Sequence, residues 1–421
     1  MPSNRLSQLA ETLIGSEIVK LGNDIKDKIK QGDTIYNFTI GDFDSAIFPI
    51  PATLEQLIIQ AYQQHCTTYP PADGIAELRA AVAAFLKKNE GLDYKTDEIL
   101  IAAGGRPLIY AAYRAIVDKG DKVIYPVPSW NNNHYVHFTE GQHVVIEAKR
   151  ENNFMPTAAD IAPHLQGAAL LAVCSPLNPT GTTFTKPELE AICDLVIAEN
   201  NRRGENEKKL YLLYDQIYWT LTYGETTHYN PVSLRPEMKA YCIFIDGISK
   251  SFAATGVRVG WSMGPAHLIA KMKAINSHVG AWSPMAEQQA TATYLNLPED
   301  INQYFSHFKA EISERLTRIY DGFIQLKNEG FAVDAVAPQA AIYLTIQINL
   351  VGKTTSTGKS LANQADVTAY LLNEAKLAVV PFSAFGAPAT SAWYRLSVGT
   401  CKKEEISDML KKLKGALQHL S

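Results

Sequence analysis

Ala168-Ala-Leu-Leu-Ala-Val-Cys174 runs directly into Ser175-Pro-Leu-Asn-Pro-Thr-Gly181. Seven apolar residues bounded by such a turn read as a buried strand. The Pro- and Gly-punctuated turn ends that strand and leaves the Asn178 amide at the carboxyl edge of a sheet, where ligands collect in α/β folds. A plain β-turn would suit the prolines and the glycine but leaves the asparagine unexplained.

Outward from this stretch, further short β-rich runs alternate with helical patterns. The runs are Glu98–Ala103, Lys122–Tyr125, His143–Ala148, Lys209–Tyr214 and Cys242–Ile245. Between them, 74–90 puts Ile75, Leu78, Val82, Phe85 and Leu86 on one stripe, and 107–117 and 186–200 read the same way. This alternation argues an α/β domain with a largely parallel sheet. A long helix over 299–327 leaves that domain. Two more strands at 341–349 and 393–398, with helices over 365–374 and 404–417, make a smaller C-terminal α+β domain. The Gly-, Lys-, Ser- and Thr-rich stretch 351–363 reads as an exposed loop. The expected division is 1–45 as an N-terminal arm and part of the small domain, 46–298 as the large domain, and 299–421 as the C-terminal small domain.

The chain has 421 residues, 46% apolar and 19% charged, as expected of a globular protein with room for two domains. Its 39 Lys+Arg against 43 Asp+Glu give a charge of -4, and no basic block stands out, so nucleic acid is not an expected partner. Five scattered cysteines without a C-x-x-C pair suggest neither a disulfide framework nor a zinc site. Without a signal-peptide core or an apolar run long enough for a bilayer, the chain reads as cytoplasmic and not membrane-bound.

The chemistry concentrates in Asp246-Gly-Ile-Ser-Lys-Ser-Phe-Ala-Ala-Thr-Gly-Val-Arg-Val-Gly260, just after a strand. A lysine amine that is partly desolvated and close to other cations loses its proton easily and can attack a carbonyl to form a Schiff base. Arg258 is placed to pair with a phosphate, while Gly256 and Gly260 allow close backbone approach. Taken alone, a lysine in such company is more often a solvated surface residue. Leu212-Leu-Tyr-Asp-Gln-Ile-Tyr218 is a strand ending on an acid, and a carboxylate there can hold a pyridine nitrogen protonated. The simpler job for Asp215 would be capping the next helix.

Five motifs thus follow one another: Tyr69-Pro-Pro-Ala-Asp-Gly74 with Leu78-Arg79, Gly104-Gly105-Arg106, Asn178-Pro-Thr-Gly181, Asp215-Gln-Ile-Tyr218, and Ser249-Lys250 followed by Arg258. In these motifs and their order the chain resembles the class I/II pyridoxal-phosphate-dependent aminotransferases of the aspartate aminotransferase family, fold type I, from about residue 16 to the C-terminus. The resemblance implies a mostly parallel seven-stranded sheet between helices in the large domain, a smaller α+β domain, pyridoxal 5′-phosphate as cofactor, and a homodimer with shared active sites. It implies Lys250 as the Schiff-base lysine and general base, Asp215 as partner of the pyridine nitrogen, and Asn178 and Tyr218 as donors to the phenolic oxygen. Gly105, Arg106, Ser249 and Arg258 resemble a phosphate cup at a helix N-terminus, with Tyr69 reaching the neighbouring subunit's phosphate. Trp130 matches the family's aromatic ring on the cofactor face, although it could equally be a plain core tryptophan. Arg395, in Trp393-Tyr-Arg-Leu-Ser397, matches the binder of the substrate α-carboxylate, although an arginine in a strand could also be a simple edge charge. Gly41, Arg106, Trp130 and Asn178 complete the expected substrate side.

Substrate choice is carried by fewer residues. Arg106 stands where one bacterial branch of aspartate aminotransferases has a lysine that helps recognise a distal carboxylate, and 276–284 contains no arginine, unlike the other branch. Ser16 and Phe385 match positions that line or cover the pocket. Aspartate with 2-oxoglutarate is the expected pair. Aromatic amino acids, prephenate, alanine, or lyase chemistry on the same fold are the alternatives, since Ser129-Trp-Asn-Asn-Asn133, Trp282 and Gln339-Ala-Ala-Ile-Tyr343 depart from the family pattern. Gly352-Lys-Thr and Gly358-Lys-Ser resemble the end of a nucleotide-binding loop, but Gln347 and Lys353 occupy the places of the required first glycine.

Overall fold

The computed structural model describes residues 6–15 and 17–421. Its main sheet has seven strands in the spatial order Ile99–Ala102, Gly260–Met263, Cys242–Gly247, Tyr211–Asp215, Ala168–Cys174, Lys122–Val127 and Gln142–Glu147. Only Gly260–Met263 runs antiparallel to its two neighbours. Six strands coincide with the apolar runs. The seventh is four residues long and starts on glycine, so within Asp246–Gly260 and just beyond it no periodicity marks a strand.

Strand alternation sorts the core into two layers. Leu170 and Ala172 pack with Leu108, Ala112, Leu268 and Met272 on one face, beneath the helices Gly105–Ile116 and Ala266–Val279. Leu171 and Val173 pack on the other with Leu78, Val82, Leu189 and Ile192, from Ala76–Glu90 and Lys186–Arg202. Fully burying one such leucine stabilises the fold by about 2 kcal/mol. Gln142–Glu147 closes the sheet as an edge strand with most side chains exposed, so its burial signal is weak.

The second unit is an antiparallel sheet in the order Val380–Pro381, Trp393–Ser397, Tyr343–Ile348 and Val333–Ala335. Against it lies the helix Pro298–Asn328, whose Phe308, Ile312, Leu316, Ile319 and Phe323 recur every three or four residues and are buried. Ile406, Met409 and Leu413 of the helix Glu405–Gln418 join the same core. Tyr36–Asn37 pairs in parallel with Leu377–Ala378, which ties the start of the chain to this unit.

The segment 351–363 is largely exposed, with an isolated bridge between Thr354 and Ser360, and the next helix starts only at Gln364. Neither Lys353 nor Lys359 opens a helix, as a phosphate-binding loop requires. Among the described residues no helix is long and apolar enough to cross a membrane.

The topology gathers the carboxyl ends of the parallel strands at one edge, where Cys174 is level with Asp215 and Asp215 with Ile245. Because Gly260–Met263 runs backwards, its first residue meets this same edge, level with Ala102 and Gly247.

Candidate active site

At that edge lies a cleft of about 840 Å³. Every residue read from the sequence as catalytic, cofactor-binding or substrate-binding lines it, with the exception of Tyr69: Gly41, Gly105, Arg106, Trp130, Asn178, Asp215, Tyr218, Ser249, Lys250, Arg258 and Arg395. Ser16 lies outside the described residues.

Lys250 sits on a single helical turn, Ile248–Ser251, that follows directly on the Cys242–Gly247 strand. Its Nζ donates to the Gly41 carbonyl at 2.7 Å. The Phe43 and Tyr218 rings stand 5.6 and 5.9 Å away. Burial pushes the ammonium down to about 8; Asp42 opposes the shift, and Arg395, Arg106 and Arg258 add to it. A free amine is the nucleophile, so the rate at which cofactor-free protein captures an aldehyde should rise with pH through about 8 and then level off. A stopped-flow pH series of cofactor uptake measures this, and a flat profile from pH 6 to 10 would contradict it.

Asp215 ends its strand inside the cleft, and its Oδ1 accepts the Ile217 N–H at 3.1 Å. Burial raises the carboxyl to about 6, offset only by that backbone donor. No cationic side chain contributes to this balance. A carboxylate in this setting is suited to a cationic ring nitrogen.

The anion end is built from backbone and one guanidinium. The helix Gly105–Ile116 begins in the cleft with no side-chain cap, leaving its first N–H groups available to an anion. Arg258 adopts φ +63, a left-handed conformation that a residue with a side chain seldom takes. Its Nη1 donates to the Thr255 carbonyl at 2.6 Å and its Nη2 to the Ala103 carbonyl at 2.7 Å, so its hydrogen-bond partners here are neutral. Gly104, at φ +86, permits this approach, since a Cβ there would overlap the Arg258 guanidinium. Gly260 packs against the Gly104 backbone, where a Cβ would come within 2.6 Å of a carbonyl carbon. At Gly256 nothing lies within 4 Å of a Cβ, so the close approach expected there has no partner within the protein.

Arg395, 2% exposed, reaches the cleft from the central part of the small sheet and is no edge charge. Its Nη1 donates to Asn178 Oδ1 at 3.0 Å and its Nη2 to the Thr39 carbonyl at 2.7 Å, while the buried Nε has no partner among the described residues. Burial works against its charge. A guanidinium so placed calls for a carboxylate ligand. Asn178 is thereby oriented with its oxygen toward the arginine, leaving its amide hydrogens for other acceptors. Arg106 lies over the Trp130 ring at 5.4 Å, and Phe385 packs 6.4 Å from that ring and 4.9 Å from the Arg395 guanidinium. Trp130 is therefore a cleft wall rather than a core residue.

The donor set fits pyridoxal phosphate: an amine of depressed pKa, a helix start with an arginine and, with no ionic partner among the described residues, a buried carboxylate and a second arginine. Tyr69 is 84% exposed and stands edge-to-face with Trp282 at 5.3 Å, beside a separate surface hollow of about 500 Å³. The sequence reading did not assign roles to Asp42, Thr255 and Tyr343. Thr255 donates to Asp42 Oδ1 at 2.6 Å, and Tyr343 stands 2.6 Å from the Tyr218 hydroxyl. No motif joins these partners, because the contacts span 213 and 125 residues of chain.

The family model for aminotransferase class I and II matches residues 33–413. An aspartate aminotransferase of Rhizobium meliloti (strain 1021) is 29% identical over 426 residues, covering 100% of this chain and 97% of the relative. That of Bacillus sp. (strain YM-2) is 31% identical over 387 residues, covering 91% of this chain and 93% of the relative. The crystal structure of an aspartate aminotransferase from Rhizobium meliloti superposes with a TM-score of 0.89 at 27% identity, over 99% of this chain and 100% of that one. With nearly the whole length matched and Lys250 and Asp215 lining one cleft at the sheet edge, this chain belongs to the class I and II aminotransferases, pyridoxal-phosphate enzymes of fold type I.

Proposed function

We propose that the protein moves the amino group of L-aspartate to 2-oxoglutarate. The observation that carries this reading is the presence in one cleft of Arg395 and Arg106, which among the described residues meet carbonyl oxygens and aromatic rings rather than a carboxylate. A diacid substrate presents one carboxylate to each, and the relatives named aspartate aminotransferase support the choice.

Pyridoxal phosphate supplies, when bound, the carbonyl that receives the amine and the ring that withdraws charge from Cα. The chain's residues do the rest. Arg395 binds the α-carboxylate as a planar fork and Arg106 takes the distal one. Asp215 would pair with the ring nitrogen, Asn178 and Tyr218 would donate to the phenolic oxygen, and Trp130 would cover the ring face. Gly105, Ser249 and Arg258 would hold the phosphate, and Gly41 would close the substrate side. Lys250 would hold the cofactor through its Nζ, and its free amine would move a proton from the substrate Cα. Its contact with the Gly41 carbonyl gives the free amine a place to rest.

The same reading assigns 46–298 to a large cofactor-binding domain, 299–421 to a small domain, and 1–45 to an arm and part of the small domain. It makes the enzyme a homodimer. The exposure of Tyr69 beside Trp282, Tyr62 and Met285 on an apolar hollow supports this, and in this reading Tyr69 enters a second copy and reaches its phosphate site. Five free cysteines suit a reducing cytoplasm.

With saturating cofactor, Arg106→Ala should lower kcat/KM for aspartate by about 100-fold while changing that for alanine much less. Steady-state kinetics with both donors tests this. An unchanged efficiency with aspartate would remove Arg106 from distal-carboxylate recognition.

A further inference from the structure

Tyr343 opens the central strand of the small sheet, and none of the roles above uses it. Its hydroxyl lies 2.6 Å from that of Tyr218, and the two rings meet edge-to-face at 5.5 Å. Both side chains are buried, at 1% and 2% exposure. The Arg395 guanidinium stands 4.8 Å over the Tyr343 ring, and a Cβ on Gly41 would come within 2.9 Å of its hydroxyl. The charged and titratable groups that face it are Arg395, Tyr218, Cys174 and Asp42. Burial raises both phenols above their ordinary range, so both keep their hydrogens at neutral pH. Only one of the two hydroxyls can donate in their mutual hydrogen bond. When Tyr218 gives its hydrogen to an acceptor in the cleft, its oxygen must receive one from Tyr343.

We propose that Tyr343 donates to Tyr218 and thereby strengthens the hydrogen bond that Tyr218 gives to the cofactor's phenolic oxygen, making Tyr343 a positioning residue for the proton on the Lys250 nitrogen. The inference rests on the role assigned to Tyr218 above. Hydrogen bonds in a chain polarise one another, so a donor to Tyr218 makes Tyr218 a better donor in turn. Charge drawn from the phenolic oxygen is charge no longer available to hold the neighbouring proton. Tyr343 therefore lowers the pH at which that proton is lost, and it acts through Tyr218 rather than by touching the reacting atoms. Other groups setting the same midpoint are Asp42, Arg395, Arg106 and Arg258 around Lys250, and Asp215 at the ring nitrogen.

The visible absorption of the holoenzyme, followed against pH, reads this proton directly. Tyr343→Phe keeps the ring and should raise the midpoint by about half a pH unit. In a Tyr218→Phe background the same substitution should move it by no more than about 0.1 unit, because the relay is already cut. An unchanged midpoint in Tyr343→Phe overturns the proposal, as does an equal rise in both backgrounds. Should Tyr343→Phe fail to take up cofactor, wild-type protein labelled with ¹³C at tyrosine Cζ decides the matter. The Tyr343 and Tyr218 signals should both move when pyridoxal phosphate is added, and a stationary Tyr343 signal overturns the relay. A wild-type protein that takes up no pyridoxal phosphate overturns the underlying reading and the relay with it.

Discussion

Lys250→Ala should lower amino transfer by about 10⁴-fold or more, because in the proposed mechanism one side chain supplies both the attachment of the cofactor and the proton transfer at Cα. The geometry makes replacement by a neighbour impossible. Lys250 Nζ is enclosed by the Gly41 carbonyl and the Phe43 and Tyr218 rings, and the nearby cations are arginines, which neither lose a proton nor form the imine. The variant should still bind pyridoxal phosphate through Arg258, Ser249 and the start of the Gly105–Ile116 helix, but without an attached-lysine absorption band. An added small amine should restore part of the rate. Turnover within tenfold of wild type, measured with aspartate and 2-oxoglutarate, would place the catalytic amine elsewhere.

Asp215→Asn should have opposite effects on activity and on the cofactor-free fold. Loss of the charge that the proposed mechanism sets against the ring nitrogen should lower turnover by about 10³-fold. The cofactor-free protein should melt at a temperature equal to or higher than wild type. In the folded state burial holds the Asp215 carboxyl at about 6 against an ordinary 3.8. Folding therefore disfavours the ionised form. That cost is absent below the ordinary value, grows as pH rises toward 6, and stays in full above it. Asparagine removes the cost and retains an oxygen for the Ile217 N–H. The melting advantage should accordingly disappear when scans are run below about pH 4. A variant that melts well below wild type at pH 8 would make Asp215 a structural residue. Active sites commonly carry this kind of local instability.

Much of the fold was legible from local signals. Ala168–Cys174 is apolar throughout and proved central and parallel, while the long helix expected over 299–327 runs Pro298–Asn328. Gly260–Met263 escaped notice because four residues that begin on glycine carry no reliable period, and its antiparallel direction depends on sheet partners distant in sequence. The site divides in the same way. Asn178, Asp215 and Lys250 each follow a strand, so chain order alone brought them to one edge. Arg395 was legible as a residue, but its enclosure by Thr39, Asn178, Tyr343 and Phe385 comes from three remote segments. Tyr343 had no signal of its own. Its importance lies in a hydroxyl–hydroxyl contact that only the docking of the small sheet against the large one creates.

The most direct test fixes the covalent link itself. Holoenzyme is reduced with borohydride, digested and sequenced by mass spectrometry. A phosphopyridoxyl group on the peptide containing Ile248-Ser-Lys250-Ser251, and on Lys250 within it, is the expected result. The group found on another lysine, with Lys250 unmodified in fully active protein, would contradict the role given to this side chain.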